Sequence, residues 1–447
     1  MGKESKKGNK GKAPGIIARD NAVMIKTTRE PYNFVADHGS EEFVYDIDGN
    51  MFIDFSSFIS VYNFGVNSSD AVRKAIAEQS SKLMHSAFTD YYAEPPVKFA
   101  ESLISFMPKG FGRVFFSNSG TEANEAAIKF SRIFTKRNYT IAFYGGFHGR
   151  TKGSLALTAS KSVQRAYNGP FPDVIHVPFP YCYRCPLKQT YPDCGFACID
   201  YIKKYPLSKE VDPKEVAALI SEPIQGEGGY IVPPKDYFKE LKKVLDEHDI
   251  LLISDEVQAG YMRTGKFLAM DNFGVKADIY TMAKSVGAGL PLGVTITDKR
   301  LGNIPEGSHA NTFGGNLAVI AGAQAQLDHI SRNKKKISEE VAKKGKLAKK
   351  RLEEMQEQYE IVGDARGIGL MLAIEIVRDK GTKQPAPDIR EKILMESFAN
   401  GLLMLPAGES TIRIIPPLTI PDHSLTKGLD ILERAISKAN VESAKRR

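Results

Sequence analysis

Short apolar runs separated by longer amphipathic stretches fill the middle of the chain. Residues 113–116, 141–143, 217–220, 250–255 and 278–282 each read as a short buried strand. Between them, residues 121–129 and 237–248 repeat apolar positions at helical spacing, and the second returns the chain to the strand at Ile250. Strands alternating with helices predict βαβ units and a mainly parallel sheet. Upstream, residues 45–54 read as a hairpin turning at Gly49, residues 71–82 as a helix, and Pro95 and Pro96 open another helix toward Phe106. Residues 56–65 are irregular and aromatic, suited to a packed loop or a pocket wall. Downstream, Ile337, Val341, Ala348, Leu352 and Met355 mark one buried helical stripe, and residues 371–376 and 411–417 alternate as strands.

The expected fold class is α/β, a large domain with a mainly parallel sheet flanked by helices plus a smaller α+β domain. The divisions expected are a basic flexible tail over 1–20, an N-terminal part of the small domain over 21–70, the large domain over 71–325, and the rest of the small domain over 326–447.

Composition adds little to this picture. With 42% hydrophobic and 26% charged residues among 447, the chain resembles an ordinary globular protein. No apolar run approaches the roughly 18 residues of a membrane span, and no secretory signal opens the chain, so a cytoplasmic enzyme is expected. The formal charge of +8 is concentrated at the ends. Lys3, Lys6, Lys7, Lys10 and Lys12 against Glu4, and Lys438, Lys445, Arg446 and Arg447 against Glu442, leave a nearly neutral body that does not suit nucleic acid. All four cysteines, Cys182, Cys185, Cys194 and Cys198, fall in one stretch. Their spacing allows a structural zinc site but fits no common ribbon, so reduced thiols are expected and no metal.

The candidate chemistry lies at strand ends. The run 250–255 ends on Asp255 and Glu256, and the run 278–282 is followed by Lys284 and the glycine-rich 287–293. In open α/β sheets ligands bind beyond the carboxyl ends of the strands. A lysine amine and an acid placed there fit pyridoxal phosphate, whose aldehyde forms a Schiff base with the amine while the acid keeps the pyridine nitrogen protonated. A phosphate site supports this, because Ser117–Gly120 turns between strand 113–116 and helix 121–129, and a helix N-terminus attracts anions. This turn lacks the GxGxxG dinucleotide spacing, and 260–267 matches GxxxxGK but puts Phe267 where a P-loop needs Ser or Thr. Phe147, in a glycine-rich turn after strand 141–143, can stack on a planar ring.

Five motifs in order, Ser119-Gly120-Thr121-Glu122-Ala123-Asn124, Phe147-His148-Gly149-Arg150, Glu222-Pro-Ile-Gln-Gly-Glu227, Asp255-Glu256-Val257-Gln258 with Lys284, and Thr312 with Arg413, resemble the class III, or ω-amino-acid, aminotransferases of the fold-type I pyridoxal phosphate enzymes. The resemblance runs from about Tyr45 to Pro417. It implies Lys284 as Schiff-base lysine and proton shuttle, Asp255 on the pyridine nitrogen, Gln258 on the phenolic oxygen, and Val257 and Phe147 about the ring. Ser119, Gly120 and Thr121 would hold the phosphate, with Thr312 from the neighbouring subunit of a homodimer with shared sites. His148 and Glu222 belong to the cofactor site, with Glu222 orienting its residues. Arg413 would grip a carboxylate of 2-oxoglutarate or glutamate, and Glu227 would neutralise it when an amine donor enters. Where relatives carry Ser-Gly-Ile-Ala-Val and Gly-His-x-His-Pro, this chain has 57–61 with Phe58 and then 65–69, and Gly287-Ala288-Gly289 replaces a triple glycine. Phe58 would reshape the substrate entrance.

The function expected is a ping-pong aminotransferase moving an amino group from an ω-amino acid such as 4-aminobutyrate or ornithine to 2-oxoglutarate. The rivals are an amino-acid racemase or epimerase on the same scaffold, which returns the proton to the same carbon, and a binding protein using the cysteines and basic ends.

Overall fold

The computed structural model describes residues 11–28, 32–67 and 69–445. Seven strands form the large sheet: β1 (Phe111–Ser117), β2 (Tyr139–Phe143), β3 (Val174–Val177), β4 (Val216–Ser221), β5 (Leu251–Asp255), β6 (Ile279–Met282) and β7 (Gly293–Asp298), in the order β3-β2-β4-β5-β6-β7-β1. All neighbours are parallel except β7, which runs antiparallel to both β6 and β1. Every residue of β4, β5, β6 and β7 is buried, as strands covered on both faces require. Helices Gly120–Thr135 and Tyr237–Glu247 supply cover, the latter burying Tyr237, Phe238, Leu241, Val244 and Leu245.

A second core joins the two ends of the chain. The hairpin Phe43–Asp46 and Met51–Asp54 continues into a parallel pairing with Leu402–Leu403, and Val44, Phe52, Ile53 and Phe55 pack with Leu372, Ile374, Ile412, Leu425 and Leu432. Strands Val362–Ile368, Met371–Ile376, Leu405–Ala407 and Thr411–Ile414 form the adjoining antiparallel sheet. One helix, Leu317–Gln358, spans both cores. Ile320, Leu327, Ile330 and Val341 pack on the large sheet, whereas Ala348, Leu352 and Met355 pack in the second core. The division expected at 325/326 thus falls inside a continuous helix, and the change of core comes between Val341 and Ala348.

The tail expected over 1–20 needs correction. Residues 1–10, which carry most of the N-terminal lysines, lie outside the described residues, as do Arg446 and Arg447. Residues Ala13–Val23 form a helix with proline in its first turn, and Asp48 accepts the N–H groups of Lys12 (2.5 Å) and Ala13 (3.3 Å). A carboxylate at a helix N-terminus meets donors that lack intrahelical acceptors. Among the described residues no helix is long and apolar enough to cross a membrane.

The stretch 260–267 turns sharply, with Tyr261 and Met262 at positive φ, and serves packing instead of phosphate binding. Phe267 stacks on Phe106, and Arg263, fully buried, donates to Pro416 O (2.6 Å), Leu370 O (3.2 Å), Asn63 Oδ1 (2.6 Å) and Ser60 Oγ (3.0 Å). Arg263 therefore ties this loop to the aromatic stretch 56–65 and to the end of strand Thr411–Ile414. Arg263→Met strands those acceptors in the interior and should lower unfolding free energy by about 3–5 kcal/mol, measured by urea titration; a loss under about 1 kcal/mol would refute this role.

Candidate active site

The carboxyl ends of β5 and β6 face a cavity of about 520 Å³. Asp255 closes β5 directly beside Thr281, and Lys284 follows β6 by two residues. Asp255 is buried and held on three sides. Its Oδ2 contacts His148 Nδ1 (2.8 Å) and accepts from Asn124 Nδ2 (2.8 Å), while its Oδ1 accepts from Val257 N (3.0 Å). Asn124 is locked in turn, donating to His148 O (2.8 Å) and accepting from Thr281 Oγ1 (2.7 Å). The carboxylate thus has one fixed orientation at the cavity floor.

Lys284 adopts φ +52, a left-handed conformation that costs a non-glycine residue energy and is concentrated at functional sites. Burial lowers its proton affinity below that of an ordinary lysine, while Asp255 and Glu222 act in the opposite sense. Glu222 stands on the other side of that balance. Burial pushes its carboxyl up to about 7, with His148 opposing and Asp255 reinforcing. It accepts from Phe147 N (2.9 Å) and Gly226 N (2.8 Å), which fixes two loops of the cavity wall.

At the other end, helix Gly120–Thr135 points its N-terminus into the cavity, with Ser119 as N-cap accepting from Glu122 N (3.2 Å). The N–H groups of Gly120 and Thr121 lie in the first turn, which lacks intrahelical acceptors. Glycine at 120 is required, because a Cβ there would sit 2.9 Å from Val257 Cγ1. Phe147 and Val257 line the walls, and Arg150 stacks on the Phe147 ring at 5.6 Å. The Tyr230 hydroxyl donates to Gln258 Oε1 (2.6 Å), leaving the Gln258 amide NH2 for an acceptor.

A helix N-terminus for a dianion, two apolar walls, a fixed carboxylate and a lysine of reduced basicity fit pyridoxal phosphate. The family profile described as Aminotransferase class-III matches residues 24–436. This chain belongs to that family. As a member of the class-III aminotransferase family it has the fold-type I architecture and depends on pyridoxal phosphate. It is 40% identical to the leucine/methionine racemase of Thermococcus litoralis over 96% of each chain. It is 35% identical to the probable 4-aminobutyrate aminotransferase of Bacillus subtilis over 88% of this chain and 90% of that one. An amine transaminase from an uncultivated Pseudomonas species, solved with pyridoxal phosphate bound, superimposes with a TM-score of 0.86 at 30% identity, covering 93% of this chain and 98% of that one.

Of the residues singled out from sequence, Ser119, Gly120, Thr121, Phe147, His148, Glu222, Asp255, Val257, Gln258 and Lys284 line this one cavity. Phe58, Glu227, Arg413 and Thr312 do not. Phe58 lies at φ +47 edge-on to Tyr62 (5.6 Å), and Val61 reaches the cavity wall in its stretch. Glu227 and Arg413 pair at 2.8 Å close enough to act on Lys284 electrostatically. Thr312 is exposed.

Residues to which the sequence reading gave no role also contact those it singled out. Asn124 carried a signal, being a polar side chain among the small buried Ala123, Ala126 and Ala127. Tyr230 and Lys161, which bonds Glu227, carried none. The four cysteines are free and line one small cavity away from the active site, and among the described residues no group of three His, Cys, Asp or Glu is arranged to hold a metal.

Gly149, at φ +137, lies so close to Thr121 Oγ1 and Ser154 Oγ that a Cβ would collide with both. Gly149→Ala should displace Thr121 and weaken pyridoxal phosphate binding by about tenfold or more, given the worth of a charge-assisted hydrogen bond. Absorbance titration of apoenzyme measures this; unchanged affinity would remove Thr121 from the phosphate site.

Proposed function

We propose that the enzyme moves an amino group from an ω-amino acid, of the 4-aminobutyrate or ornithine kind, to 2-oxoglutarate, giving glutamate by a ping-pong sequence. Arg413 carries this reading. It is buried, its Nε and Nη2 donate to Pro406 O (3.0 and 2.6 Å), its Nη2 also donates to Glu227 Oε2 (2.8 Å), and its Nη1 has no partner among the described residues. An unpaired buried N–H edge is costly unless a ligand completes it, and a guanidinium edge suits a carboxylate. Glu227, within the same pair, neutralises the arginine when the donor brings no carboxylate there.

When bound, pyridoxal phosphate supplies an aldehyde that condenses with amines and a pyridinium ring that accepts the electron pair left at the substrate's amine-bearing carbon. Asp255 keeps the pyridine nitrogen protonated, and His148 and Asn124 hold Asp255 in place. The Gln258 amide would donate to the phenolic oxygen, Phe147 and Val257 would hold the ring, and Ser119, Gly120 and Thr121 would hold the phosphate. Lys284 would hold the cofactor and would move the proton, a task its reduced basicity would help. Thr312 of the partner subunit would complete the phosphate site in a homodimer, a reading supported by the exposed apolar Phe313 beside it and the exposed Met84, which accepts from Leu317 N.

The 40% identity to a leucine/methionine racemase favours a second reading. In it the same chain abstracts the α-proton of an apolar amino acid and returns it to the opposite face. Incubation with 4-aminobutyrate or ornithine plus 2-oxoglutarate should form glutamate, and Arg413→Ala should raise KM for 2-oxoglutarate about 10- to 100-fold, as loss of a charged hydrogen-bonded pair implies. Loss of optical rotation from L-leucine or L-methionine without keto acid, and no glutamate from any ω-amino donor, would contradict the aminotransferase and establish the racemase.

A further inference from the structure

Glu227 is shared between two cations. Its Oε2 accepts from Arg413 Nη2 (2.8 Å) and its Oε1 accepts from Lys161 Nζ (2.7 Å). The two partners differ in setting, since the Arg413 side chain is 5% exposed, Glu227 22% and Lys161 43%. One carboxylate oxygen therefore faces the interior and the other faces the side from which solvent enters. Lys161 sits between the short helices Lys152–Leu157 and Ser162–Arg165, outside the cofactor cavity. Nothing else in the mechanism uses it.

Exchanging substrates puts a particular demand on this arrangement. For a dicarboxylate to be gripped through both Nη1 and Nη2 of Arg413, Nη2 must release Glu227, and the released carboxylate is then a largely buried anion beside an incoming anion. Such a group is costly unless it keeps a counter-charge. Lys161 is already in contact, and its flexible four-carbon stem can follow Glu227 away from the arginine. No such demand arises with a donor lacking a carboxylate at this point, because Glu227 then stays on Arg413.

We propose that Lys161 is a specificity-determining residue that receives Glu227 when a dicarboxylic acceptor occupies Arg413, and so selectively favours the 2-oxoglutarate half-reaction. This rests on the aminotransferase reading above. Burial favours the neutral form of Glu227, yet Arg413 and Lys161 together hold it below the usual carboxylate range, consistent with an acid that remains an anion throughout. Among the described residues, Tyr230 and Lys284 are titratable groups that also face this pair.

Steady-state kinetics of the holoenzyme, with donor and 2-oxoglutarate varied separately, tests the assignment in wild type, Lys161→Gln and Lys161→Arg. Lys161→Gln should raise KM for 2-oxoglutarate about fivefold, the scale of a partly exposed ion pair, while KM for the donor and kcat stay within about twofold. Lys161→Arg should restore most of the loss, and melting temperatures should match across the three proteins. Equal changes in both KM values, no change in either, or failure of arginine to restore would overturn the role of Lys161 and leave the aminotransferase intact. A wild-type enzyme that forms no glutamate from 2-oxoglutarate would overturn both.

Discussion

A carboxylate buried at the end of a parallel strand must be satisfied by neighbours, and the three partners of Asp255 determine how the rest of the site is built. His148 comes from the turn after β2, Asn124 from the helix after β1, and Val257 from the chain just beyond β5. Three separate segments of the large domain are pinned to one side chain. Thr281 on β6 closes the circuit through Asn124, and β6 delivers Lys284 two residues later. Removing water from Asp255 and Lys284 while fixing their separation is the condition for an acid and an amine to act on one planar ring from different directions.

Desolvation then sorts the nearby ionisable groups. Burial moves Glu222 and Glu256 up to about 7 and Lys284 down from an ordinary lysine, whereas Glu227, with two cations, moves down. Asp255 and Glu256 are adjacent in sequence but serve different ends. Side chains alternate across a strand, so Asp255 meets the cavity, while Glu256 accepts from Ala269 N (2.7 Å), Met270 N (3.0 Å) and Ser254 Oγ (3.0 Å) and braces the loop beneath. The small domain contributes Arg413, and Arg366, which donates to Gly229 O (3.0 and 2.6 Å) and holds the loop carrying Glu227. The Glu227–Arg413 pair is thus assembled across both cores.

That difference also governs what could be read from the sequence. The strands 141–143, 217–220, 250–255 and 278–282 declared themselves because burial on both faces leaves a mostly apolar run, and 113–116, a half-buried edge strand, by Val114, Phe115 and Phe116. Two strands of the large sheet did not: Val174–Val177 is short and interrupted by His176, and Gly293–Asp298 follows a glycine-rich turn that masks its start. That Gly293–Asp298 turns back antiparallel on β6 follows from the short glycine-rich connection, but its second partner, β1, lies 176 or more positions away along the chain, which local pattern does not encode. Cofactor-site residues were legible because each sits at a strand end or helix start within a dense motif. Lys161 was not, since its contact with Glu227 spans 66 positions between two unremarkable loops. The helix Ala13–Val23 was hidden because lysine-rich flanks read as tail, and the decisive acceptor, Asp48, lies in the hairpin turn.

The account stands on Lys284 as the point of covalent attachment to pyridoxal phosphate. Borohydride reduction of cofactor-saturated enzyme followed by peptide mass mapping measures this directly. The pyridoxyl mass should appear on the peptide containing Lys284 and on no other lysine. Its appearance elsewhere, or an unmodified Lys284 peptide from saturated protein, would contradict the account.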